Sequence, residues 1–443
     1  MRVETREPLG SDVRAQVDPD LGPGDLVRDG GGLRVGAPAL PGSDGLRTAA
    51  AQAARTLRAH GGTIAWSATS DEDVRAIVEG TAYGAYDPGL FKRGYGDRPR
   101  LTLALDAPAE LHPLTERQAL VMSHLDAARD LANRPANDLT PVALANHART
   151  RAGGRLAVES FGRDWIVAQG MGALAAVASG SGREPQLIVL RYDPPGARDD
   201  LTLGLVGKAI TFDSGGISLK PPLYMQDMKG DMCGGAAVIE ATAAVAELGL
   251  PLRIVTVVAA TENVQDANAM RPGDILTAAN GKTIEVINTD AEGRLILADA
   301  LHHARTLGAT HLVDLATLTG AMVIALGDLY AGWFCTDDEL AGALEQASAV
   351  SGDLAWRFPL HPRYRRYVDS EFADMKNASE LREGGAVLAT EFLREFAGDG
   401  PYAHFDIAGP AYIRRKRPDY ALDQGGTGYG VRLLVELAEV LAA

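Results

Sequence analysis

The feature that most constrains the fold is a series of short, unbroken apolar runs that alternate with helical stretches. The runs are LIVL (187–190), LTLGLV (201–206), LRIVTVVAA (252–260) and HLVDLA (311–316), and the helical stretches include GAAVIEATAAVAE (235–247) and LILADALHHAR (295–305). Strands that are buried on both faces read as continuous apolar runs, and helical crossovers between them favour parallel pairing. The sequence therefore predicts an α/β fold in which a mainly parallel sheet is covered by helices.

The first quarter of the chain predicts a smaller α/β domain. An Ala-rich stretch with helical spacing (45–60) precedes two strand-like runs, GGTIAW (61–66) and LTLAL (101–105). A helix over 115–131 connects this region to the rest, and it ends near two prolines because the residue before a proline avoids helical conformation. We divide the chain into an N-terminal α/β domain, residues 1–112, and a C-terminal domain, residues 113–443, that includes the connecting helix.

Charge and cysteine content argue against several classes of protein. The 443-residue chain has a formal net charge of −15, whereas binding to nucleic acid or anionic membrane relies on basic patches. Two cysteines, Cys233 and Cys335, do not make a disulfide framework. The charged N-terminus lacks the apolar core of a secretory signal, and no apolar run reaches the roughly 18 residues of a membrane span. We therefore expect a cytoplasmic protein that binds neither nucleic acid nor membrane.

The stretch NTDAEGRL (288–295) is the first candidate for a functional site. It follows the apolar run TIEVI (283–287) and places Asp290, Glu292 and Arg294 at alternating positions. If the run continues as an extended strand, these three side chains leave its end on one side. Because unpaired charges are costly to bury, the group should hold a metal, bind a ligand or be paired off. The alternative is an ordinary acidic loop with an Asp–Arg ion pair.

A second stretch, VGKAITFDSGGISLKPPLYMQDMKGD (206–231), adds Lys208, Asp213, Lys220 and Asp231. The glycines between them allow tight turns and close approach of the backbone. Together the acids of the two stretches make a site rich in hard oxygen ligands, and no His or Cys has to take part. Such carboxylate sets suit Mg²⁺, Mn²⁺ or Zn²⁺, often as a pair of ions about 3.5–4 Å apart that clamps the attacking and leaving oxygens.

These stretches resemble the signature blocks of the cytosolic leucyl aminopeptidase family, a family of two-metal exopeptidases. The blocks are VGKAITFDSGGISLKP (206–221), MKGDMCGGAA (228–237), NTDAEGRL (288–295) and DLATLTGA (314–321), joined by ARDLANRPANDLTP (128–141), AHFDIAGPA (403–411) and GTGYGVR (426–432). The resemblance covers roughly the last three quarters of the chain. It departs at Ala209, where glycine is frequent, and at Gly235, where alanine is frequent. We also expect an N-terminal domain that is shorter than usual in the family.

The resemblance implies that five side chains bind two divalent metal ions per subunit, Mn²⁺ or Zn²⁺. Asp213 and Glu292 would bridge both ions. Asp290 would complete one site, and Lys208 with Asp231 would complete the other. A lysine can ligate only as the neutral amine, and burial beside two cations would lower its pKa. The nucleophile would be a metal-bound water; the alternative role of Lys208 is an ion pair with a carboxylate.

Two further residues have catalytic roles in the family. Lys220 would stabilise the tetrahedral oxyanion, although it also balances the charge of the acids. Arg294 would hold a bicarbonate ion that carries protons, because a guanidinium is a good bidentate anchor for such an anion and a poor base. The simpler alternative is that Arg294 only pairs with an acid.

Four residues match positions that line the pocket for the substrate's N-terminal residue in the family: Met228, Thr317, Leu318 and Gly320. Leu318 would offer its backbone carbonyl to the substrate. A methionine accommodates varied apolar side chains because its thioether is flexible, although ordinary core packing also suits Met228. The segment ASELREGGAVLAT (378–390), which helps to shape this pocket, is less typical of the family.

The resemblance therefore implies a metal-dependent aminopeptidase that removes N-terminal residues, such as leucine or methionine, from peptides. The free α-amine would ligate one metal, which explains an exopeptidase. The family usually assembles as a hexamer of two trimers, and we expect the same homohexamer here. One alternative is a DNA-binding or regulatory protein on this scaffold, which the acidic charge disfavours. Another is a two-metal hydrolase that acts on phosphoesters.

Overall fold

The computed structural model describes residues 2–4, 13–29, 31–381, 383–417, 419–421 and 424–443. The chain forms two compact units. One consists of Met1–Ala127 with Arg414–Gln424, and the other consists of Ala128–Ile413 with Gly425–Ala443. This division lies inside the connecting helix. The sequence-based division after residue 112 instead assigned the whole helix, and the later segment 414–424, to the larger domain.

The smaller unit is built on a sheet with the strand order β1-β6-β5-β2-β4-β3. Its elements are β1 (Arg2–Glu4), β2 (Val13–Val17), β3 (Leu26–Asp29), β4 (Gly32–Val35), α1 (Asp44–Leu57), β5 (Gly62–Ser67), α2 (Asp71–Ala85) and β6 (Leu101–Asp106). Helix α3 (His112–Asn133) begins in this unit and continues into the other. The predicted smaller α/β domain is thus confirmed as a fold.

The segment Arg414–Gln424 belongs to the smaller unit through Tyr420. Its ring packs edge-on against the ring of Tyr83, with centroids 4.9 Å apart, and the Arg47 guanidinium lies over it at 5.3 Å. Arg55 donates to the carbonyl oxygen of Tyr420 at 3.2 Å. These contacts join residues that are far apart in sequence, so periodicity along the chain does not reveal them.

The larger unit contains helices on both sides of a long mixed sheet. Its helices are α4 (Pro141–Thr150), α5 (Arg163–Ala168), α6 (Gly172–Ala178), α7 (Cys233–Leu248), α8 (Glu292–Thr306), α9 (Gly320–Leu326), α10 (Asp338–Ser351), α11 (Gly385–Arg394) and α12 (Val431–Ala442). Its strands are β7 (Leu156–Phe161), β8 (Gln186–Tyr192), β9 (Thr202–Asp213), β10 (Arg253–Asn263), β11 (Ile275–Thr277), β12 (Thr283–Glu285), β13 (His311–Ala316), β14 (Ala331–Cys335), β15 (Ala355–Arg357), β16 (Met375–Lys376), β17 (Tyr402–Asp406), β18 (Tyr412–Ile413) and β19 (Gly425–Gly426). Two 3-10 segments, Met225–Gly230 and Pro362–Val368, lie between them.

The main sheet has the strand order β15-β14-β17-β13-β9-β10-β8-β7. Its central strands β17, β13, β9 and β10 are parallel, whereas β8 is antiparallel to β10 and to β7, and β14 is antiparallel to β17. The predicted α/β class and the parallel centre are confirmed, and the antiparallel pairs lie toward the edges. Among the described helices, none combines the length and the apolar character that crossing a bilayer requires.

Both faces of the sheet are buried, as its apolar runs predict. In β10, Val255 and Val257 belong to the core that includes α6 and α8. The next residue, Val258, points to the other face, where its Cγ1 would lie 2.9 Å from a Cβ on Gly235 of α7. Strand β9 is buried at all but one position. This explains why these strands show no alternation of apolar and polar residues.

The prediction that NTDAEGRL leaves an extended strand is wrong. Strand β12 has only three residues and belongs to a separate sheet with β11 and β16, and Glu292 and Arg294 lie in the first turn of α8. The Asn288 side chain accepts from the backbone N–H of Asp290 at 2.9 Å, which folds the chain into a turn. Asn377, from a distant segment, accepts from the N–H of Ile287 at 2.8 Å and ends the strand.

The two departures from the family pattern, Ala209 and Gly235, lie against each other. A Cβ on Gly235 would stand 2.8 Å from the Cβ of Ala209, which is closer than two carbons pack. The space between β9 and α7 is already filled by the methyl group of Ala209 and by Cγ1 of Val258, which would lie 2.9 Å from a Cβ on Gly235. Ala209 and Gly235 therefore compensate for each other in part, because methyl groups at both positions would collide.

A double-mutant cycle is expected to detect this compensation. Gly235→Ala should cost about 1–2 kcal/mol more free energy of unfolding in the natural chain than in an Ala209→Gly background, because only the natural chain forces the two methyl groups together. Urea unfolding of the four proteins measures this coupling. Equal costs of Gly235→Ala in both backgrounds would show that the two residues do not share one space.

Candidate active site

The candidate site lies where four parallel neighbours in the main sheet end. Asp406, Asp213 and Asn263 are the last residues of β17, β9 and β10, and Thr317 directly follows β13. Asp213 and Asn263 are also register partners across β9 and β10. Because the carboxyl ends of parallel strands meet at one edge, ligands in open α/β sheets bind there.

A β-bulge brings Lys208 and Asp213 to the same face of β9. The two residues are five positions apart, so a regular strand would point them to opposite faces. The register with β10 advances by two residues on β9, from Ile210 to Phe212, while it advances by one residue on β10. The extra residue, Thr211, reverses the alternation beyond it. Lys208 and Asp213 therefore both face the acid cluster.

Three carboxylates converge at this edge. Asp213, Asp231 and Glu292 each offer an oxygen, and these atoms all lie within 4.8 Å of one another. Asp231 stands just before α7, and Glu292 is the first residue of α8, so the positive ends of two helices favour their charges. All three residues are buried. Such a set of oxygen ligands fits a divalent metal site.

Lys208 lies at the centre of this cluster. Its Nζ is 2.8 Å from Oδ2 of Asp231 and 2.9 Å from Oε1 of Glu292, and it donates to the carbonyl oxygen of Thr317 at 2.9 Å. Gly293 makes room for it, because a Cβ there would lie 2.7 Å from the Nζ atom. The lysine is therefore held as the ion-pair partner that the sequence left as the alternative role, and metal ligation by Lys208 stays a prediction.

Lys220 and Asp290 extend the cluster toward solvent. The Nζ atom of Lys220 lies 2.7 Å from Oδ2 of Asp213 and also pairs with Asp290. These two side chains are 20% and 30% exposed, whereas that of Asp213 is 3% exposed. The site thus has a buried floor and a more open rim, on which Lys220 is accessible to a substrate.

The charges of the cluster call for an added cation. Burial raises the pKa of Glu292 to about 8, an effect that Asp213 strengthens and Lys208 opposes. Burial likewise raises the pKa of Asp231 to about 6, against the effect of Lys208. Burial lowers the pKa of Lys208, but the carboxylates of Asp231 and Glu292 outweigh it and leave that pKa raised. Four acids and two lysines leave a net negative site, which divalent ions would neutralise.

Arg294 is buried beside this site. Its Nη1 donates to the carbonyl oxygen of Asn377 at 2.7 Å. Its Nε is buried and has no hydrogen-bond partner within the part of the chain that the structure describes. Burial lowers the pKa of this guanidinium to about 10, with Glu292 and Asp406 opposing the shift, so it stays charged at neutral pH. A charged group with an unpaired N–H suits a small anion.

Asn263 is a positioning residue that the sequence reading missed. Its Nδ2 donates to Oδ1 of Asp213 at 2.8 Å, to the carbonyl oxygen of Thr289 at 3.1 Å and to Oε2 of Glu292 at 3.4 Å. It therefore orients two carboxylates that come from different elements. A weak signal was present, because Asn263 comes soon after the apolar run 252–260, from which Thr261 and Glu262 separate it.

Asn263→Ala is expected to weaken metal binding by about 10–100-fold, because residues that orient metal ligands typically have effects of this size. The direct measurement is a titration of Mn²⁺ into the metal-free protein. Asn268→Ala changes an exposed amide of the following loop and serves as the control, with unchanged affinity. Equal affinities of the two variants would mean that Asn263 does not orient the carboxylates.

The loop after β13 brings the predicted pocket residues to the same edge. Thr317 donates from Oγ1 to Oδ1 of Asp231 at 2.7 Å. Leu318 donates its N–H to Oδ1 of Asp406 at 3.1 Å, and Gly320 is the first residue of α9. Met228 is half-buried in the 3-10 segment that precedes Asp231. Asp406, to which the sequence reading gave no role, holds this loop against the sheet.

Comparison with protein families and curated proteins identifies the family of this chain. The catalytic-domain model of the cytosol aminopeptidase family matches residues 126–435. A probable cytosol aminopeptidase of Solibacter usitatus is 47% identical over 366 residues, which are 82% of this chain and 75% of that protein. One of Nitratidesulfovibrio vulgaris is 48% identical over 374 residues, 82% and 73% of the two chains. One of Syntrophotalea carbinolica is 42% identical over 424 residues, 92% and 84%.

A solved structure is similar over 98% of the chain. It is the bottromycin maturation enzyme BotP in complex with Mn, and its TM-score against this structure is 0.87. The sequences are 35% identical, and the match covers 98% of this chain and 100% of BotP. The α/β class predicted from the apolar runs is therefore confirmed by a protein solved independently.

Proposed function

Because this chain belongs to the cytosol aminopeptidase family, we propose that it is a two-metal aminopeptidase that removes leucine and similar residues from the N-termini of peptides. The family is metal-dependent, and the acidic cluster fits a metal site. The observation that carries the proposal is the convergence of Asp213, Asp231 and Glu292 within 4.8 Å, with Lys208 and Lys220 upon them. If the acids served only as ion-pair partners of the two lysines, two acids would be enough, whereas the cluster has four.

In this proposal Asp213 and Glu292 would hold both metal ions, Asp290 would serve one of them, and Lys208 with Asp231 would serve the other. The ions are Mn²⁺ or Zn²⁺. When bound, they would polarise the scissile carbonyl and lower the pKa of water. The oxygens of Asp213, Asp231 and Glu292, all within 4.8 Å of one another, support a shared site for these three residues. Lys208 must then lose its proton to ligate, which the added positive charge favours.

Two basic residues act on the reacting groups. Lys220 donates a hydrogen bond to the developing oxyanion from the open rim of the site, which its 20% exposure supports. Arg294 would hold a bicarbonate ion through its unpaired Nε, and such an ion would supply the base for proton transfer between water and the leaving amine. A bound anion is needed as the general base because the carboxylates of this site would serve as metal ligands.

The substrate enters with its free α-amine toward the metals. Met228, Thr317, Leu318 and Gly320 surround its first side chain, and the carbonyl of Leu318 accepts from the peptide. The contact of Thr317 with both Asp231 and Lys208 supports this placement, because it joins the pocket wall to the proposed metal ligands. The half-buried Met228 supports a preference for apolar residues.

Hydrolysis of leucine p-nitroanilide by the purified chain tests this proposal. The expected result is turnover with Mn²⁺ or Zn²⁺, no turnover with a chelator, and none when the substrate's α-amine is acetylated. A phosphate monoester assayed beside it should stay intact, which separates peptide from phosphoester chemistry. Equal cleavage of the acetylated and the free substrate would overturn the exopeptidase assignment.

A second candidate function comes from the end-to-end match to BotP. The chain covers 100% of BotP but 73–84% of the curated relatives described above. The similarity to BotP makes the maturation of one particular product, as the name of BotP describes, a second candidate function beside general peptide processing. A panel of unrelated dipeptides separates the two, because a general aminopeptidase cleaves many of them and a dedicated maturation enzyme cleaves few.

We also propose a homohexamer in the cytoplasm, without a nucleic-acid partner. The net charge of −15 supports the last point, because DNA binding relies on basic patches. Sedimentation that gives six chains per particle supports the assembly, and a monomer at micromolar concentration refutes it. A gel shift with duplex DNA at physiological salt would revive the alternative of a DNA-binding regulator.

A further inference from the structure

A charged cleft lies away from the candidate active site in the larger unit. It has a volume of about 640 Å³, and its lining includes Tyr402 and Thr336. Tyr402 is the first residue of β17, whereas Asp406 at the other end of that strand borders the candidate active site. Four steps along a strand span about 13 Å, so the cleft opens toward the opposite end of the sheet.

The cleft carries balanced charge. Among its described lining residues, three are cationic and three are acidic: Lys282, Arg365, Arg394, Glu391, Glu395 and Asp399. A simple anion would meet the three acids, and a simple cation would meet the three bases. A ligand that carries both a positive and a negative group can place each one beside the opposite charge and so avoids this repulsion.

Most of these charges already have partners. Both oxygens of Glu395 are used, one by Nε of Arg365 at 2.8 Å and the other by Lys282. Arg365 also pairs with Asp369 at 2.5 Å and donates to the carbonyl oxygen of Asp374 at 3.2 Å. This part of the lining is a closed network that leaves little for a ligand.

Glu391 and Arg394 have hydrogen-bonding capacity left over. Nη1 of Arg394 donates to Oε2 of Glu391 at 2.9 Å. Among the described residues, the guanidinium of Arg394 donates no other hydrogen bond. The other oxygen, Oε1 of Glu391, is buried and has no partner among the described residues, and the residue is 3% exposed. An unpaired carboxylate oxygen at this depth is costly unless a donor reaches it.

We propose that this cleft binds a free α-amino acid as its zwitterion. The ammonium group donates to Oε1 of Glu391, and the remaining N–H groups of Arg394 bind the carboxylate. An α-amino acid carries both charged groups on one carbon, which matches an acid and a base that are themselves in contact. The volume is within the range of small-molecule sites and leaves room for a side chain.

The test is equilibrium dialysis of L-leucine against the full Mn²⁺-loaded chain and three variants. Glu391→Gln puts an amide donor where the ammonium must lie, and Arg394→Gln removes the guanidinium. Asp399→Asn makes the same charge change as Glu391→Gln on an exposed lining residue, so it is the matched control. All four proteins share the candidate active site, so leucine bound there is common to them and the difference isolates the cleft.

The expected result is that the natural chain and Asp399→Asn bind one more leucine per chain than the other two variants, whose cleft affinity falls by at least about tenfold. In the natural chain, N-acetylleucine and leucinol, which each lack one charge, should compete for this site at least about tenfold more weakly than leucine. Equal leucine binding by all four proteins would overturn the proposal, and so would equal competition by the singly charged analogues. Because the experiment measures leucine binding, its result does not depend on whether the chain hydrolyses peptides.

Discussion

Replacing Glu292 by glutamine is expected to lower turnover of an N-terminal leucine substrate by at least about 10³-fold, because the proposed metal centre supplies several kcal/mol of transition-state stabilisation. Glu292 contacts Lys208 at 2.9 Å and lies within 4.8 Å of Asp213 and Asp231, so its charge is shared by the whole cluster. An amide keeps the shape of the side chain but cannot bridge two cations. The measurement is kcat/KM with saturating Mn²⁺.

The fold of the Glu292→Gln variant should survive, because removing one of four clustered acids relieves repulsion at a buried site. Its urea unfolding midpoint in the absence of metal should therefore equal or exceed that of the natural chain. Glu339→Gln, an exposed position on α10, is the matched control and should retain full activity. Near-natural kcat/KM in Glu292→Gln would remove the acid cluster from the mechanism.

Asp353→Ala is expected to cost about 3–5 kcal/mol in the free energy of unfolding, the largest stability effect that we predict. Asp353 is 3% exposed, and its Oδ1 accepts from Nη2 of the buried Arg432 at 2.7 Å. Its Oδ2 accepts from the N–H groups of Gly430 at 3.0 Å and Leu433 at 3.3 Å, which belong to the N-terminus of α12. The alanine variant leaves a buried guanidinium and a helix end without this carboxylate.

Urea unfolding monitored by far-UV circular dichroism measures this loss. Asp338→Ala is the control, because Asp338 also pairs with an arginine, Arg357, at 2.8 Å, but its side chain is 94% exposed. Exposed pairs contribute about 0–1 kcal/mol, so this variant should unfold close to the natural chain. Similar losses in the two variants would mean that burial does not determine the strength of these pairs.

The order of strands and helices in the larger unit could be predicted because strands that are buried on both faces consist of consecutive apolar residues. The runs at 187–190, 201–206, 252–260 and 311–316 all became strands of the main sheet. The run at 283–287 instead forms a three-residue strand of a separate small sheet. The side chain of Asn377 ends that strand across some 90 residues of sequence, and no local pattern contains this information.

The composition of the candidate site could be predicted further than its geometry. The sequence motifs named all the charged residues that the structure brings together around Glu292. They did not reveal the bulge at Thr211, because a single extra residue changes the direction of Asp213 without changing composition. Asn263 was missed for a different reason. An uncharged amide attracts less notice than an acid, although its hydrogen bonds orient two of the acids.

We propose that this cluster binds two divalent ions and that both are needed for cleavage of an N-terminal residue. The most direct measurement is a titration of Mn²⁺ into the chelator-treated chain, in which bound metal and leucine p-nitroanilide hydrolysis are followed together. We predict two ions bound per chain in the natural protein, and full activity only after the second has bound. Full activity in the metal-free chain, or saturation of both signals at one ion per chain, would contradict the claim.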